Sequence, residues 1–423
     1  MRIITTGDWH LGNLFHGNDR LQEHIHFLKW LENTIVEQNP DVLLVAGDVF
    51  DNGNPSAASQ TAYYDFLAEI TKTCPELQIV ITAGNHDSAS RLEAPRPLLT
   101  RHNVEIRGNL KRRWVTDKEG GHWEFEYDDL LIPVTDKDGN KTIIIAVPYL
   151  RNDVVQNASY SDGVNRILRD LTARARELYP DTPIVMMAHM YAKGADIVKS
   201  DASERIIIGG QEEVDMDGWA DHPDYLTCGH IHKRQQICDT NWARYTGSIL
   251  PMSFSEEKYQ HGVDLVTIDS TRKPQVEFLE YIPQHKLRIL PADDQELTPK
   301  KMEKLIKEEL RERVDGKLSD HYDYLLLKVK LEKFDNDELA ALYEQIAQMD
   351  VILCKMQKLV PTLDLTTIVG QQKITSIDDI LERDPMDTLK ETFTIRHNAD
   401  MTEHQQQMLK DLLDNINNND NQD

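Results

Sequence analysis

The sequence predicts an α/β fold in which helices flank a β-sandwich or a doubly wound sheet. Short apolar runs rich in β-branched residues alternate with segments whose apolar residues recur at helical spacing. Polar clusters follow five of the apolar runs, which is typical of strands that end at a ligand-binding edge. The chain has 423 residues, which is enough for two or three domains at about 150 residues each.

Residues 1–50 are predicted to form a strand–helix–strand unit. Arg2 to Thr6 is β-prone, apolar residues recur at helical spacing from Leu21 to Ile35, and Pro40 ends the helix before a second apolar strand, 41–46. Turn-forming residues between 104 and 148 predict antiparallel hairpins. The other elements predicted before residue 283 are helices at 57–72, 91–102 and 161–178 and strands at 78–83, 184–188, 225–228, 235–245, 262–268 and 275–281.

Three regions follow from this pattern. Residues 1–283 are predicted to form the first domain, and residues 284–365 a small α/β domain with the order β-α-β-α-β, in which Pro299 opens the first helix. Residues 371–423 are acidic and contain two short amphipathic stretches before a tail that is expected to be disordered. Amphipathicity alone leaves open whether these stretches pack on their own domain or dock on a partner.

Charge and composition exclude several classes of protein. The formal charge of −25 argues against nucleic-acid binding through bulk charge, so any such function requires local cations or metal ions. No window approaches the roughly 18 apolar residues of a membrane span, and no leader-like segment precedes Ile3, so a soluble, cytoplasmic protein is expected. The four cysteines form no Cys-x-x-Cys pair, which argues against a disulfide framework or a thiolate zinc site.

Five polar clusters stand where apolar runs end. Because ligands bind at the carboxyl ends of strands in open α/β sheets, the five clusters are expected to converge. Gly47, Gly84 and Gly229 fit tight turns that bring the backbone close to a site. The clusters are Asp8-Trp9-His10, Gly47-Asp48-Val49-Phe50-Asp51, Gly84-Asn85-His86-Asp87, His189 and Gly229-His230-Ile231-His232.

The residue types in these clusters predict a two-metal hydrolase. Carboxylate, imidazole and amide ligands suit Mn²⁺, Fe²⁺ or Zn²⁺ better than Mg²⁺, which favours an all-oxygen set. A carboxylate such as Asp48 can bridge two cations, and two cations about 3.5–4 Å apart acidify a water and neutralise charge on a transferring phosphoryl group. One Asp-x-His or Gly-His pair is a weak signal on its own, whereas five clusters in this order are specific.

The clusters resemble the motifs of the calcineurin-like metallophosphoesterases. Longer stretches resemble a narrower group, the SbcD family, whose members are the nuclease subunits of bacterial SbcC-SbcD complexes. The resemblance covers the first domain by its motifs and the rest of the chain by layout only. The longer stretches are Gly84-Asn85-His86-Asp87-Ser88-Ala89-Ser90-Arg91-Leu92, Pro148-Tyr149-Leu150-Arg151 and residues 247–256.

The resemblance implies two metal positions that share Asp48. His86 matches the family's catalytic histidine, which contacts the scissile phosphate and assists departure of the leaving oxygen. Asp87 is expected to orient or charge-balance His86, the alternative being an ordinary carboxylate in a turn. The first metal position would comprise Asp8, His10, Asp48 and His232, and the second Asp48, Asn85, His189 and His230.

Three further residues are assigned to the site or to DNA. Asp51 stands where archaeal and eukaryotic relatives carry a histidine, and we assign it a supporting role in catalysis. His16 matches a place near the DNA path in relatives, and a plain surface histidine in a loop is an equal alternative. Arg91 is a better candidate for a DNA-backbone contact than the run Lys111-Arg112-Arg113, which is typical of a solvated face.

The resemblance implies a Mn²⁺-dependent DNA phosphodiesterase, acting as a double-strand exonuclease and as an endonuclease on hairpins and single strands in DNA repair and recombination. The implied partners are DNA, an SMC-like coiled-coil ABC ATPase of the SbcC type and a second copy of the chain in a heterotetramer. The small domain would cap the nuclease site, and residues 371–416 would bind the base of the coiled coil.

Two alternatives remain open at this point. One is a small-molecule phosphoesterase or nucleotide pyrophosphatase of the same superfamily, which the metal motifs alone do not exclude. The other is a non-catalytic subunit that positions DNA for the ATPase.

Overall fold

The computed structural model describes residues 1–117, 120–155, 159–196, 213–216, 219–238, 240–293, 295, 297–330, 336–359, 402 and 406. The chain divides into two compact units, one formed by Met1–Val329 with Asn336–Gln357 and the other by Lys330–Asp335 with Lys358–Asp423. The second unit lies almost wholly outside the described residues. The C-terminal helices predicted within 371–423 lie outside them as well.

The first unit contains most of the regular structure. Its strands, with the last ending in the second unit, are β1 (Arg2–Thr6), β2 (Leu14–Phe15), β3 (Asn18–Asp19), β4 (Val42–Ala46), β5 (Gln78–Thr82), β6 (Val104–Arg107), β7 (Arg112–Asp117), β8 (Gly120–Phe125), β9 (Leu131–Thr135), β10 (Lys141–Ala146), β11 (Ile184–His189), β12 (Tyr225–Gly229), β13 (Gln235–Gln236), β14 (Ala243–Tyr245), β15 (His261–Thr267), β16 (Gln275–Tyr281), β17 (Leu287–Leu290), β18 (Asp323–Lys330) and β19 (Val351–Leu359). Its α-helices are α1 (Leu21–Gln38), α2 (Ala57–Thr73), α3 (Ala89–Glu93), α4 (Arg96–Leu99), α5 (Asn152–Val155), α6 (Tyr160–Leu178), α7 (Pro299–Glu309) and α8 (Asn336–Ile346).

Two mixed sheets of six strands form the larger part of this unit. One has the order β16-β15-β1-β4-β5-β6 and the other β13-β14-β12-β11-β10-β9. The strands β1, β4, β5 and β6 run parallel, as do β10, β11, β12 and β14. Antiparallel strands complete each sheet at its edges.

Apolar residues on both sides of the strands explain why the sheets stack and why helices cover them. In β4, Val42 and Leu44 point into a core that also contains Ile144 of the second sheet. Leu43 and Val45 point the other way, into the core beneath α1 and α2. Helix α6 covers the outer face of the second sheet. The predicted β-sandwich flanked by helices is confirmed.

Two local predictions between 91 and 148 differ from the structure. The single helix predicted over 91–102 is instead α3, α4 and a 3₁₀ turn, since Pro95 and Pro97 interrupt it. Strand β6 does not form a hairpin but pairs in parallel with β5, because Val104 and Ile106 supply apolar side chains to the core under the helices. The pairs β7–β8 and β9–β10 are antiparallel, as predicted.

Residues 287–359 contain a second, smaller α/β arrangement. The strands β17, β18 and β19 form a three-stranded sheet, with α7 and α8 between them in the chain. The predicted order β-α-β-α-β is therefore confirmed, while the boundary at 283–284 stays a prediction. Phe15 and Phe254 from the sandwich region pack with Leu287, Tyr324 and Leu326 of this sheet.

A buried ion pair lies beside that apolar contact. Arg20 donates from Nε and Nη2 to the two carboxylate oxygens of Glu23 at 2.8 and 2.9 Å, and from Nη1 to the carbonyl oxygen of Pro251 at 2.5 Å. The Tyr324 hydroxyl donates to Glu23 Oε1 at 3.0 Å. Arg20 and Glu23 are only 1% and 2% exposed, so each charge depends on the other for compensation. Among the described residues, no helix is both long and apolar enough to cross a membrane.

We expect Arg20→Ala to lower the free energy of unfolding by about 3–5 kcal/mol, because Glu23 would stay buried without its cation. Lys29→Ala is the matched control on the same helix, since Lys29 pairs with Glu32 at the same i,i+3 spacing but is largely exposed. Urea denaturation followed by circular dichroism measures both variants. Equal midpoints for the two variants would contradict a structural role for the buried pair.

Candidate metal centre

The five polar clusters lie at the carboxyl ends of five parallel strands drawn from both sheets. Strands β1, β4 and β5 supply three of the clusters, and β11 and β12 supply the other two. Their side chains are buried except that of Asn85, which is half-buried. The seven residues predicted as metal ligands that meet here are Asp8, His10, Asp48, Asn85, His189, His230 and His232.

Four of these residues have an unusual backbone conformation. Asp8, His10, Asp48 and His230 have φ values of 48°, 46°, 47° and 96°. Non-glycine residues rarely adopt this left-handed region, which costs on the order of 1 kcal/mol or more per residue and persists where surrounding structure fixes it. Such strain concentrates at functional sites. Here it turns side chains inward immediately after a strand has ended.

Glycine is required where the loops approach one another. A Cβ at Gly84 would lie 2.1 Å from Asp48 Oδ1 and 2.3 Å from the Asp48 backbone nitrogen. A Cβ at Gly47, whose φ is +80°, would lie 2.3 Å from His189 Nδ1. The close approach predicted for these glycines is therefore present, and it allows Asp48 and His189 to reach the same point.

One group of ligand atoms surrounds the side-chain oxygen of Asn85. His189 Nε2 and His230 Nδ1 each lie 2.9 Å from Asn85 Oδ1, and Asp48 Oδ2 lies 3.2 Å from His189 Nε2. His189 Nδ1 lies 3.0 Å from the carbonyl oxygen of Ala46, which can only accept, so Nδ1 carries the proton. In neutral His189, the Nε2 lone pair therefore faces two oxygen atoms that are themselves acceptors.

The second group of ligand atoms surrounds Asp8. Ligand atoms of Asp8, His10 and His232 all lie within 4.8 Å of one another. His10 Nε2 lies 3.6 Å from Asp48 Oδ2, so Asp48 borders both groups. Both ring nitrogens of His10 are buried and have no partner in hydrogen-bonding geometry, although Asp51 Oδ1 is 3.4 Å from Nδ1. Buried polar atoms without partners are costly, and a cation would satisfy them.

The electrostatics lead to the same conclusion. Burial opposes ionisation of Asp48, but the positively charged His189 beside it holds the pKa of the Asp48 carboxyl well below its usual range. Burial likewise opposes a charge on His189, yet the Asp48 carboxylate raises the pKa of His189 to about 9. Burial and the charge of His189 lower the pKa of His230 to about 3. The centre is thus arranged around positive charge.

These residues fit divalent cations. Converging carboxylate, amide and imidazole donors, unpartnered imidazole nitrogens and a buried site are what a Mn²⁺, Fe²⁺ or Zn²⁺ centre requires. The donor set is richer in nitrogen than Mg²⁺ prefers. Divalent metal binding is therefore the chemistry that this centre supports.

His86 lies beside the ligands and is half-buried. Its ring centroid is 4.7 Å from that of His10, and its backbone N–H donates to Asp48 Oδ1 at 2.8 Å. Its Nδ1 lies 2.8 Å from the carbonyl oxygen of Asp51, so Nδ1 carries a proton and Nε2 is left available to a substrate. Burial lowers the pKa of His86.

Asp51 and Asp87 hold the surrounding loops. The Asp51 side chain accepts a hydrogen bond from Asn13 Nδ2 at 3.0 Å, in addition to its approach to His10. The Asp87 carboxylate accepts from the backbone N–H groups of Val49, Phe50 and Gly84 at 2.9–3.1 Å. These contacts differ from the expected one to the His86 ring. Asp87 instead ties together the loops that carry Asp48 and His86.

The predicted DNA contacts lie outside the ligand cluster. His16 is exposed in the turn between β2 and β3, with its ring 4.9 Å from that of Phe15. Arg91 is exposed on α3 and donates to Asn54 Oδ1 at 2.6 Å. Arg96 is instead paired with Asp129 at 2.7 Å.

One acidic residue of the centre has no role predicted from the sequence. Glu256 is buried and lies 3.1 Å from His232 Nδ1. It follows no apolar run and is 24 residues from His232 in the chain. Its place within the matched stretch 247–256 is the only signal that points to it.

We expect Gly84→Ala to abolish metal binding, because the added methyl group would occupy the position of the Asp48 carboxylate. Gly53→Ala is the control, since its Cβ would meet no atom closer than 3.6 Å. Isothermal titration with Mn²⁺ measures both variants. Wild-type affinity in Gly84→Ala would show that Asp48 does not need this close approach.

Comparison with known proteins agrees with this centre. The calcineurin-like phosphoesterase family matches residues 1–234, the part of the chain that carries every predicted ligand. Three bacterial relatives are each named as the SbcD component of the SbcCD nuclease. That of Rhodobacter capsulatus is 35% identical and aligns over 65% of this chain and 68% of its own length.

The other two relatives are more distant. The protein of Escherichia coli K12 is 30% identical over 69% of this chain and 71% of its own length. That of Bacillus subtilis is 28% identical over 63% and 66%. The family match, these identities and this coverage place the chain in the SbcD family of calcineurin-like phosphoesterases.

Proposed function

We propose that this protein is a two-metal DNA phosphodiesterase, the nuclease subunit of an ATP-regulated complex of the SbcC-SbcD type. The observation that carries the proposal is the convergence of buried donor atoms from five strand ends around Asp48. The relatives named as SbcCD nuclease components support DNA as the substrate. A double-strand exonuclease and an endonuclease acting on hairpins and single strands is the activity we infer.

Two cations, which we infer to be Mn²⁺, would share Asp48. When bound, they would supply a nucleophile at neutral pH and neutralise charge on the phosphoryl group. The protein's own contribution is to fix seven donors in a buried site and to exclude other protonation states. One cation would be held by Asp8, His10, Asp48 and His232, and the other by Asp48, Asn85, His189 and His230.

His86 would act on the scissile phosphate. The Asp51 carbonyl holds Nδ1–H, so the ring presents Nε2 to the substrate. A phosphate oxygen at that nitrogen favours the protonated ring, which then stabilises the negative charge and donates its Nε2 proton to the departing sugar oxygen. Asp51 would position His10 and His86, and Asp87 would hold the loops beneath them.

The remaining parts of the chain would serve the complex in the cytoplasm. The name of the relatives supports an SbcC-type ATPase with a coiled coil as the partner. The small α/β domain, 284–365, would cap the nuclease site, and residues 371–416 would bind the base of the coiled coil. A second copy of the chain would complete a heterotetramer.

The test is cleavage of an end-labelled duplex and a hairpin with Mn²⁺, with and without the cognate ATPase. We expect His86→Ala to bind Mn²⁺ normally and to cut about 10²–10⁴-fold more slowly, since general acid assistance is lost. His102→Ala, an exposed histidine outside the site, is the control and should cut at the wild-type rate.

Two outcomes would contradict the proposal. Hydrolysis of small phosphate esters with no DNA cleavage, even with the ATPase, indicates the small-molecule phosphoesterase. Metal binding without hydrolysis of any ester indicates the DNA-positioning subunit.

A second prediction concerns Arg91. We expect Arg91→Ala to weaken DNA binding equally for all sequences and to reduce the slope of log affinity against log salt by about 1, as for loss of one phosphate contact. Arg101→Ala, another exposed arginine, is the control. Fluorescence anisotropy without Mn²⁺ measures binding in the absence of cleavage, and an unchanged slope would remove Arg91 from the DNA surface.

A further inference from the structure

Glu256 is a buried carboxylate behind one of the inferred metal ligands. It ends a 3₁₀ turn, Phe254–Glu256, and is 1% exposed. Its Oε1 lies 3.1 Å from His232 Nδ1, and its Oε2 accepts the backbone N–H of Met252 at 2.7 Å. Both carboxylate oxygens therefore have a donor, and the side chain is fixed at both ends.

This contact determines which nitrogen of His232 can bind a cation. A carboxylate only accepts hydrogen bonds, so His232 Nδ1 carries the proton and Nε2 keeps its lone pair. His232 is 3% exposed, and its ring centroid is 5.2 Å from that of His10. The lone pair on Nε2 is the one needed at the group formed by Asp8 and His10.

The histidines of the two metal positions are supported differently. In the group around Asp8, His10 has the Asp51 carboxylate at 3.4 Å and His232 has that of Glu256 at 3.1 Å. In the other group, His189 contacts a neutral backbone carbonyl. A carboxylate behind a histidine makes the ring a stronger ligand and adds negative charge near the cation.

We propose that Glu256 is a positioning residue that orients His232 and makes the position formed by Asp8, His10, Asp48 and His232 the tighter of the two cation sites. The inference rests on the proposed two-metal function. Glu256 itself touches neither substrate nor cation.

The turn that carries Glu256 is anchored independently of the site. The carbonyl oxygen of Pro251 accepts from buried Arg20 at 2.5 Å, and the Phe254 ring lies 5.2 Å from that of Phe15. Phe254 also packs with Leu287 of the small sheet. Glu256 is thus held in place without a cation, as a preorganised orienting group must be.

The test is titration of the metal-free full-length protein with Mn²⁺, by calorimetry and by the electron paramagnetic resonance signal of free Mn²⁺. Glu256→Gln keeps the size of the side chain but removes its charge. We expect the tighter of two binding steps to weaken by about 10–100-fold and the weaker step to stay unchanged. Glu257→Gln, the exposed neighbour, should bind like the wild type.

Cleavage gives a second readout. The Mn²⁺ concentration for half-maximal cleavage should rise by the same factor in Glu256→Gln, while kcat at saturating Mn²⁺ stays within about twofold. In a His232→Ala background, Glu256→Gln should have no further effect on Mn²⁺ affinity, because the two residues act through one contact.

Three results would overturn the proposal. These are unchanged Mn²⁺ steps in Glu256→Gln, equal weakening of both steps, or an additive effect in the His232→Ala background. If Glu256→Gln does not fold, ¹⁵N spectra of wild-type His232 decide, since protonation at Nε2 rather than Nδ1 excludes the orientation. Failure of the proposed function is distinct, because wild type would then bind two cations and cut no DNA.

Discussion

The centre depends on keeping one buried carboxylate, that of Asp48, between two groups of imidazoles. Its Oδ2 lies 3.2 Å from His189 Nε2 and 3.6 Å from His10 Nε2, while Oδ1 accepts the His86 backbone N–H. The side chain is 3% exposed, so little of its charge is stabilised by water. The left-handed backbone of Asp48 and the missing side chain at Gly84 are both needed to bring the carboxylate to this position.

Such a centre costs stability until a cation occupies it. Lone pairs that face one another and residues in left-handed conformations are unfavourable, and the sandwich core must hold them in place. The apolar strands β1, β4 and β11 provide this rigidity, because they are buried on both faces directly before the loops begin. A ligand that binds only the folded state then stabilises it by mass action, so folding and metal binding are linked.

The positions of the ligands could be predicted from sequence because each lies within four residues of the end of a parallel strand, and strand ends are visible as apolar runs. The side-chain direction of Asp87 could not, since donors from two loops determine it. The role of Glu256 could not either, because it depends on how a 3₁₀ turn packs against a loop 24 residues away. The pattern predicts one helix over 91–102 because its apolar spacing continues across Pro95 and Pro97, where the structure breaks the helix.

The overall charge sets a further requirement for a DNA substrate. A chain of net charge −25 repels a polyanion, so attraction must be local. Of the two arginines after the third cluster, Arg96 is neutralised by Asp129, whereas the partner of Arg91 is the uncharged Asn54. Two divalent cations would place four positive charges among a few buried carboxylates, which makes the metal centre the strongest local attraction for a phosphate. Under the proposed function, cation binding would therefore control substrate binding as well as the chemical step.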